Sequence, residues 1–229
     1  MIVVTGFLGL YWVFYGQRKY NDMFMPKRKT ELKAILFDLD GVIVDSFDAW
    51  YGAINELRKK YNLSYLTKDE YRKKAWSIPI EIVTKTYFPG RDPGKVTKEC
   101  LSLMSKNLSE IKLLPGVKKV LYEIKKKKHK IGLVTNSYRT LISKILKYHE
   151  IEKYFDVKVT ADDVEKPKPY PDPILKACEK LNVMPDETIF VGDTKIDYQA
   201  GKSAGSFVVG LNTHGDLMIS KLSDLLELL

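Results

Sequence analysis

The stretch ILFDLDGVIVDS, residues 35–46, places two carboxylates, Asp38 and Asp40, one residue apart at the mouth of an apolar run. Carboxylates in such a position can hold a cation or move protons. Other apolar runs end in the same way. Thr135, Asn136 and Ser137 close a second, Lys166 and Lys168 follow a third, and Asp193 and Asp197 follow a fourth. If these runs are strands of one sheet, four segments bring acids, hydroxyls, an amide and ammonium groups to one edge. Such a set makes a polar ligand site, not a packing surface.

The elements that would position these residues alternate from Lys33 onward. Candidate strands are Ala34–Phe37, Ile131–Val134, Phe155–Val159, Thr188–Val191 and Ser206–Val209, short runs rich in Val, Ile or Phe. Helical patterns fall near 138–148, 172–182 and 195–204. This alternation predicts an α/β fold with a doubly wound parallel sheet, whose ligand site lies at the carboxyl ends of the strands. The interval between the first two strands is too long for one crossover. Within it Trp50, Ile54, Leu57 and Tyr61 recur at helical spacing, as do Val96, Cys100, Met104 and Leu108. FPGRDPGK at 88–95 reads as a loop, and LLPGV at 113–117 as the return hinge. The expected organisation is a discontinuous core domain, 33–47 plus 113–229, with an inserted α-helical cap domain at 48–112.

A chain of 229 residues that is 45% hydrophobic can bury a sizeable core as a soluble globular protein. Its net charge of +9 is partly local: residues 1–33 carry an excess of four positive charges, leaving +5 for the rest. The run KKKKHK at 125–130 follows Val117, Val120, Leu121 and Ile124 at helical spacing, so it reads as the solvated last turn of a helix, where the helix dipole favours cations. No interleaved aromatics or nucleic-acid signature accompany it, and no nucleic-acid partner is expected. Cys100 and Cys178, the two cysteines, lie far apart and suit a reducing cytoplasm. His129, His149 and His214 match no metal-ligand spacing and are expected at the surface. The N-terminal stretch MIVVTGFLGLYWVFYG is apolar for about fifteen residues, short of the roughly 20 that span a membrane. Residues 1–32 are therefore a short anchor, a packed element, or an extension upstream of a start at Met23 or Met25, and no stable membrane span is expected.

Four motifs, FDLDGV at 37–42, LVTNS at 133–137, KPYPDP at 168–173 and VGDTKID at 191–197, resemble those of the haloacid dehalogenase superfamily. The likeness is to its phosphatase branch with a small helical cap, similar to phosphoglycolate phosphatase and β-phosphoglucomutase. It covers residues from about 33 to 229. It implies a Mg²⁺-dependent enzyme that hydrolyses a small phosphorylated metabolite through an aspartyl phosphate, as a monomer or homodimer.

On that resemblance Asp38 is the nucleophile, and Asp40 the acid and base that protonates the leaving alcohol and later activates water. Mg²⁺ would be held by Asp38, by Asp193 and by the backbone carbonyl of Asp40, with Asp197 binding directly or through water. Thr135 would bind the phosphoryl group through its hydroxyl, beside the Asn136 N–H. The phosphate-binding lysine is Lys168 or Lys166, with Lys168 preferred because KPYPDP holds it on a stiff extended backbone. Trp76 and Ser77, in WSIP, sit where the family's substrate-specificity loop falls. Arg72, Lys73 and Lys74 read as a solvated helix face that could alternatively attract a second anion. Phosphoglycolate or a sugar phosphate is the expected substrate. A phosphosugar mutase is the alternative, and a receiver-like signalling module a weaker one.

Overall fold

The computed structural model describes residues 30–229, so the expectations for the apolar N-terminal stretch and for Met23 and Met25 lie outside it. Its strands are β1 (Ala34–Phe37), β2 (Val44–Asp45), β3 (Lys112–Leu113), β4 (Lys130–Val134), β5 (Val157–Val159), β6 (Thr188–Gly192), β7 (Phe207–Leu211) and β8 (Leu217–Ile219). Six form a parallel sheet in the order β5-β4-β1-β6-β7-β8; β2 and β3 pair as a separate antiparallel ribbon.

Parallel sheets are covered on both faces, and every residue of β1 and β6 is buried accordingly. Alternation decides which layer each side chain serves. Ile35, Phe37, Ile131 and Leu133 join one apolar cluster, while Ala34, Leu36, Val134 and Phe190 join the other. Helices α5 (Val117–Lys126) and α6 (Arg139–Tyr148) bury Val120, Ile124, Ile142 and Ile145 in the first cluster. Helices α7 (Asp172–Leu181) and α8 (Lys195–Ala204) bury Ile174, Ala177 and Ala200 in the second. The expected doubly wound α/β architecture is present.

Between β2 and β3 lies the helical insertion: α1 (Phe47–Lys60), α2 (Lys68–Lys74), α3 (Ile80–Tyr87) and α4 (Pro93–Lys106). Trp50, Ile54 and Leu57 of α1 and Val96, Cys100 and Met104 of α4 are buried at the spacing read from sequence. Both crossings between insertion and sheet run through the β2/β3 ribbon, where Val44 pairs with Leu113 and Asp45 with Lys112. Beyond it Gly116, at φ +84°, turns the chain into α5.

Several sequence expectations shift in detail. The strand expected at Phe155–Val159 starts at Val157, because residues 152–154 form a 3₁₀ turn closed by the Phe155 N–H on Glu152. The strand expected at Ser206–Val209 is Phe207–Leu211; the Ser206 N–H still closes α8 on Gly201. Of the lysine run only Lys125 and Lys126 are helical; Lys128 has φ +66° and Lys130 opens β4. Lys125 pairs with Asp156 at 2.8 Å, while Lys127 and Lys130 donate to the carbonyls of Leu229 and Leu181. Among the histidines His214 is exposed, but His149 is half-buried with Nε2 3.0 Å from the Ile111 carbonyl, and His129 is half-buried. Both cysteines are buried free thiols. No helix of the described residues is long and apolar enough to cross a membrane.

Parallel neighbours normally need a crossover of a dozen residues, yet β7 and β8 are joined by residues 212–216 alone. Two glycines permit this. A Cβ on Gly210 would lie 2.2 Å from the Thr213 carbonyl oxygen, and one on Gly215 would lie 2.5 Å from the Gly210 nitrogen. Gly210→Ala is expected to destabilise the protein by about 1–3 kcal/mol through this backbone clash. Gly52, inside α1 with nothing near its missing Cβ, should gain about 0.5–1 kcal/mol on replacement by Ala. Urea unfolding of the two variants checks this; equal midpoints would refute the contrast.

Candidate active site

The carboxyl end of β1 sets the first group in place. The Asp38 N–H donates to the Val191 carbonyl at 2.9 Å, so the residue is still pinned to β6 when its side chain emerges, 7% exposed. Opposite it stands Lys168, 3% exposed, with Nζ 2.7 Å from Asp38 Oδ1 and 2.6 Å from Asp197 Oδ1. Its third proton faces the Val134 carbonyl at 3.3 Å, so all three ammonium donors are taken up. Lys166 is exposed beside the Tyr170 ring, which leaves Lys168 as the lysine that reaches Asp38.

Asn136 holds Lys168 from behind. Its side chain donates to the Lys168 carbonyl at 3.0 Å and accepts from the Lys168 N–H at 2.9 Å. The resemblance implies a place for the Asn136 N–H beside the phosphoryl group; a side-chain amide that grips another segment's backbone leaves no local signal.

Asp193 and Asp197 follow β6 and differ sharply in environment. Asp197, 1% exposed, is neither solvated nor free. One oxygen meets Lys168, and the other accepts from the Thr194 hydroxyl at 2.5 Å and its N–H at 3.2 Å. It thus completes the capping box that starts α8, with Thr194 as N-cap. Asp193 Oδ1 is buried with no hydrogen-bond partner among the described residues. Two glycines allow the crowding. A Cβ on Gly41, at φ +84°, would lie 2.0 Å from Asp193 Oδ2, and one on Gly192 would lie 2.2 Å from the Asp197 Cβ.

Carboxylate oxygens of Asp38, Asp193 and Asp197 lie within 4.8 Å of one another. Like charges so placed repel by about 3–4 kcal/mol per pair at an effective dielectric of 20. The crowding registers in the proton affinities of Asp38 and Asp193. Burial, with Asp197 and Asp193 adding to it against the pull of Lys168, raises Asp38 well above the usual carboxylate range. Burial and Asp197 raise Asp193 to about 7. Burial opposes the charge of Lys168, but Asp197 and Asp38 outweigh it and hold the ammonium protonated. Three carboxylates against one ammonium leave two negative charges, and hard oxygen donors with one orphaned oxygen fit a divalent cation such as Mg²⁺.

The Asp40 carboxylate is not part of that cluster. Oδ1 accepts from the Ser46 hydroxyl and from Trp50 Nε1 at 3.2 Å, and Oδ2 accepts from the Ser137 hydroxyl at 3.0 Å. Only its backbone carbonyl is left for the metal role expected from sequence. Ser46 precedes α1, the position where a serine normally caps a helix, but it makes no cap bond and turns to Asp40 instead. A serine at this position reads in sequence as an ordinary cap, so nothing local marks its turn toward Asp40. In sequence Trp50 reads only as an apolar helix position, and Ser137 only as a polar residue closing an apolar run. The cap of α6 is in fact Tyr138, and its first N–H, from Arg139, goes to Asp162 at 2.7 Å.

Thr135 is buried, and its hydroxyl accepts the Ser137 N–H at 3.1 Å. Thr135, Asn136, Trp76 and Ser77 all line one cavity of about 60 Å³ together with Asp38, Asp40, Lys168 and Asp197. The WSIP loop therefore does face the sheet edge, with Trp76 packed edge-on against Phe47 at 5.1 Å and Ser77 at φ +67°. Asp193 is not among the lining residues.

A doubly wound sheet with this acidic edge and a helical insertion after β1 defines a class of α/β hydrolase. Residues 35–211 match the haloacid dehalogenase-like hydrolases, and the chain belongs to that family. It is 28% identical over 214 residues to pyrophosphatase PpaX of Bacillus mycoides, covering 87% of this chain and 97% of that one. Its structure is similar to a predicted phosphoglycolate phosphatase of Haemophilus somnus (25% identity, TM-score 0.76, 87% and 99% of the two chains). It is likewise similar to β-phosphoglucomutase of Clostridium difficile (24% identity, TM-score 0.76, 85% and 93%).

The raised carboxyls fix a pH signature for the cation-free protein. A folded-state pKa above the unfolded one contributes stability at low pH that is lost as pH rises through the folded value. Without divalent cations, melting should therefore fall by a few degrees between pH 5.5 and 7.5, and Asp193→Asn should flatten that slope. Added Mg²⁺ should raise the melting temperature most at the upper pH. Thermal melts in EDTA and in Mg²⁺ test this, and a pH slope identical in wild type and Asp193→Asn would contradict it.

Proposed function

We propose that the protein is a Mg²⁺-dependent phosphatase that hydrolyses a small phosphomonoester through an aspartyl phosphate on Asp38. The observation that carries this is the division between two carboxylates two residues apart. Asp38 is buried against Lys168, while Asp40 is held apart by three donors from three other positions.

Asp38, Asp193 and the Asp40 carbonyl would hold the ion, with Asp197 behind them. Bound there, Mg²⁺ would offset the negative charge of the carboxylate and the phosphoryl oxygens. An Asp38 carboxylate oxygen forms a bond to phosphorus as the bond to the leaving oxygen breaks, and Asp40 supplies the proton that the leaving alcohol takes up. Asp40 then removes a proton from the water that attacks the acyl phosphate, which releases inorganic phosphate and restores Asp38. Thr135 binds a phosphoryl oxygen through its hydroxyl, and the Lys168 ammonium, held beside Asp38, offsets the charge of the carboxylate and of the phosphoryl oxygens. Asn136 keeps Lys168 on line. The insertion closes over the site and excludes water from the first step. The buried free thiols fit a cytoplasmic enzyme.

Incubation with Mg²⁺ and a panel of phosphorylated metabolites tests this reading. The wild type should release free phosphate, which separates hydrolysis from phosphosugar mutation. Asp38→Asn should lose activity by at least about 10³-fold, and Asp40→Asn by on the order of 10²–10⁴-fold. No phosphate from any compound, or an Asp38→Asn variant as active as wild type, would sink the proposal.

A further inference from the structure

The cavity that joins sheet and insertion has two chemically distinct halves. Every charged group that lines it comes from the core: Asp38, Asp40, Lys168 and Asp197. The insertion contributes no charged group: Trp50, Tyr71, Trp76, Ile78, Ile80 and Val83 line it, and the polar atoms among them and Ser77 are the Ser77 and Tyr71 hydroxyls and two indole N–H groups, of which that of Trp50 is already given to Asp40. Among the described residues Lys168 is the one lysine or arginine on the lining, and its three protons are committed to Asp38, Asp197 and Val134.

Among the described residues no cation of the insertion is on the lining. Arg72 lies 4.0 Å over the Phe47 ring, Arg58 donates to the carbonyls of Ser64 and Tyr87, Lys60 pairs with Glu99 and Lys68 with Asp48. Lys73 and Lys74 are exposed and off the lining. A leaving group with its own anion, such as the carboxylate of phosphoglycolate or the second phosphate of pyrophosphate, would sit against aromatic and aliphatic side chains. It would have no lysine or arginine on the lining with a proton to spare for it. Buried charges left unpaired are strongly disfavoured. The same walls offer an uncharged organic group apolar contact and ring faces.

Resting on the phosphatase reading above, we infer that the preferred substrate is the phosphomonoester of a small, uncharged, largely apolar alcohol, and that the insertion's apolar wall enforces this choice. Ser77 is the position from which the preference can be rewritten, because it is only partly buried on the loop between α2 and α3.

The test measures phosphate release by the wild-type protein with Mg²⁺ from phenyl phosphate, phosphoglycolate and inorganic pyrophosphate, as kcat/KM for each. Phenyl phosphate should exceed both charged compounds by at least about tenfold. Ser77→Arg, checked for native circular dichroism, should shift the ratio of phosphoglycolate to phenyl phosphate upward by on the order of tenfold. Phosphoglycolate or pyrophosphate turned over as well as phenyl phosphate, or an unchanged ratio in Ser77→Arg, would overturn the inference while leaving the phosphatase intact. Failure to release phosphate from all three and from the wider metabolite panel would remove the phosphatase reading itself, and this inference with it.

Discussion

The organising constraint is a single buried ammonium. Lys168 sits out of water between Asp38 and Asp197, and such an arrangement persists only if every donor and acceptor around it is satisfied. Each neighbouring feature serves that condition. The β1–β6 pairing fixes Asp38, the capping box of α8 fixes Asp197, and the Asn136 amide fixes the Lys168 backbone. Gly41 and Gly192 remove the methyl groups that would otherwise push Asp193 and Asp197 away. What the ammonium does not balance is the remaining acid. Asp193, with one oxygen buried and unpartnered, is where the fold tolerates a polar group it cannot satisfy by itself, and such groups in native proteins mark an ion or a function.

Much of this edge was legible because strand ends are legible. An apolar run followed by Asp38, by Thr135 or by Asp193 marks both the element and the site, and the parallel topology brings those ends together. Lys168 stood out from Lys166 for the same reason, its place among prolines. Invisible in sequence were the side chains that bridge segments. Ser46, Trp50 and Ser137 meet at Asp40 from positions 6, 10 and 97 residues away, and the bonds of Asn136 reach 32 residues down the chain. Periodicity carries no trace of such pairings. The β2/β3 ribbon and β8 escaped for another reason: runs of two or three residues are too short to show alternation.

The Asp40 contacts also tie the two parts of the molecule together. Ser46 and Trp50 belong to the entry into the insertion, whereas Ser137 follows β4. One carboxylate thus accepts from both sides of the seam between insertion and sheet. The division of chemistry across that seam is equally plain: charge lies on the sheet edge and apolar surface on the insertion.

The central claim is that Asp38 becomes covalently phosphorylated. The most direct measurement quenches the protein during turnover of a phosphomonoester with Mg²⁺, reduces it with borohydride, which converts an aspartyl phosphate to homoserine, and maps the peptides by mass. The account predicts substrate-dependent conversion at position 38 and at no other aspartate. Phosphate release with Asp38 unmodified throughout, or conversion at Asp40, Asp193 or Asp197 instead, would contradict it.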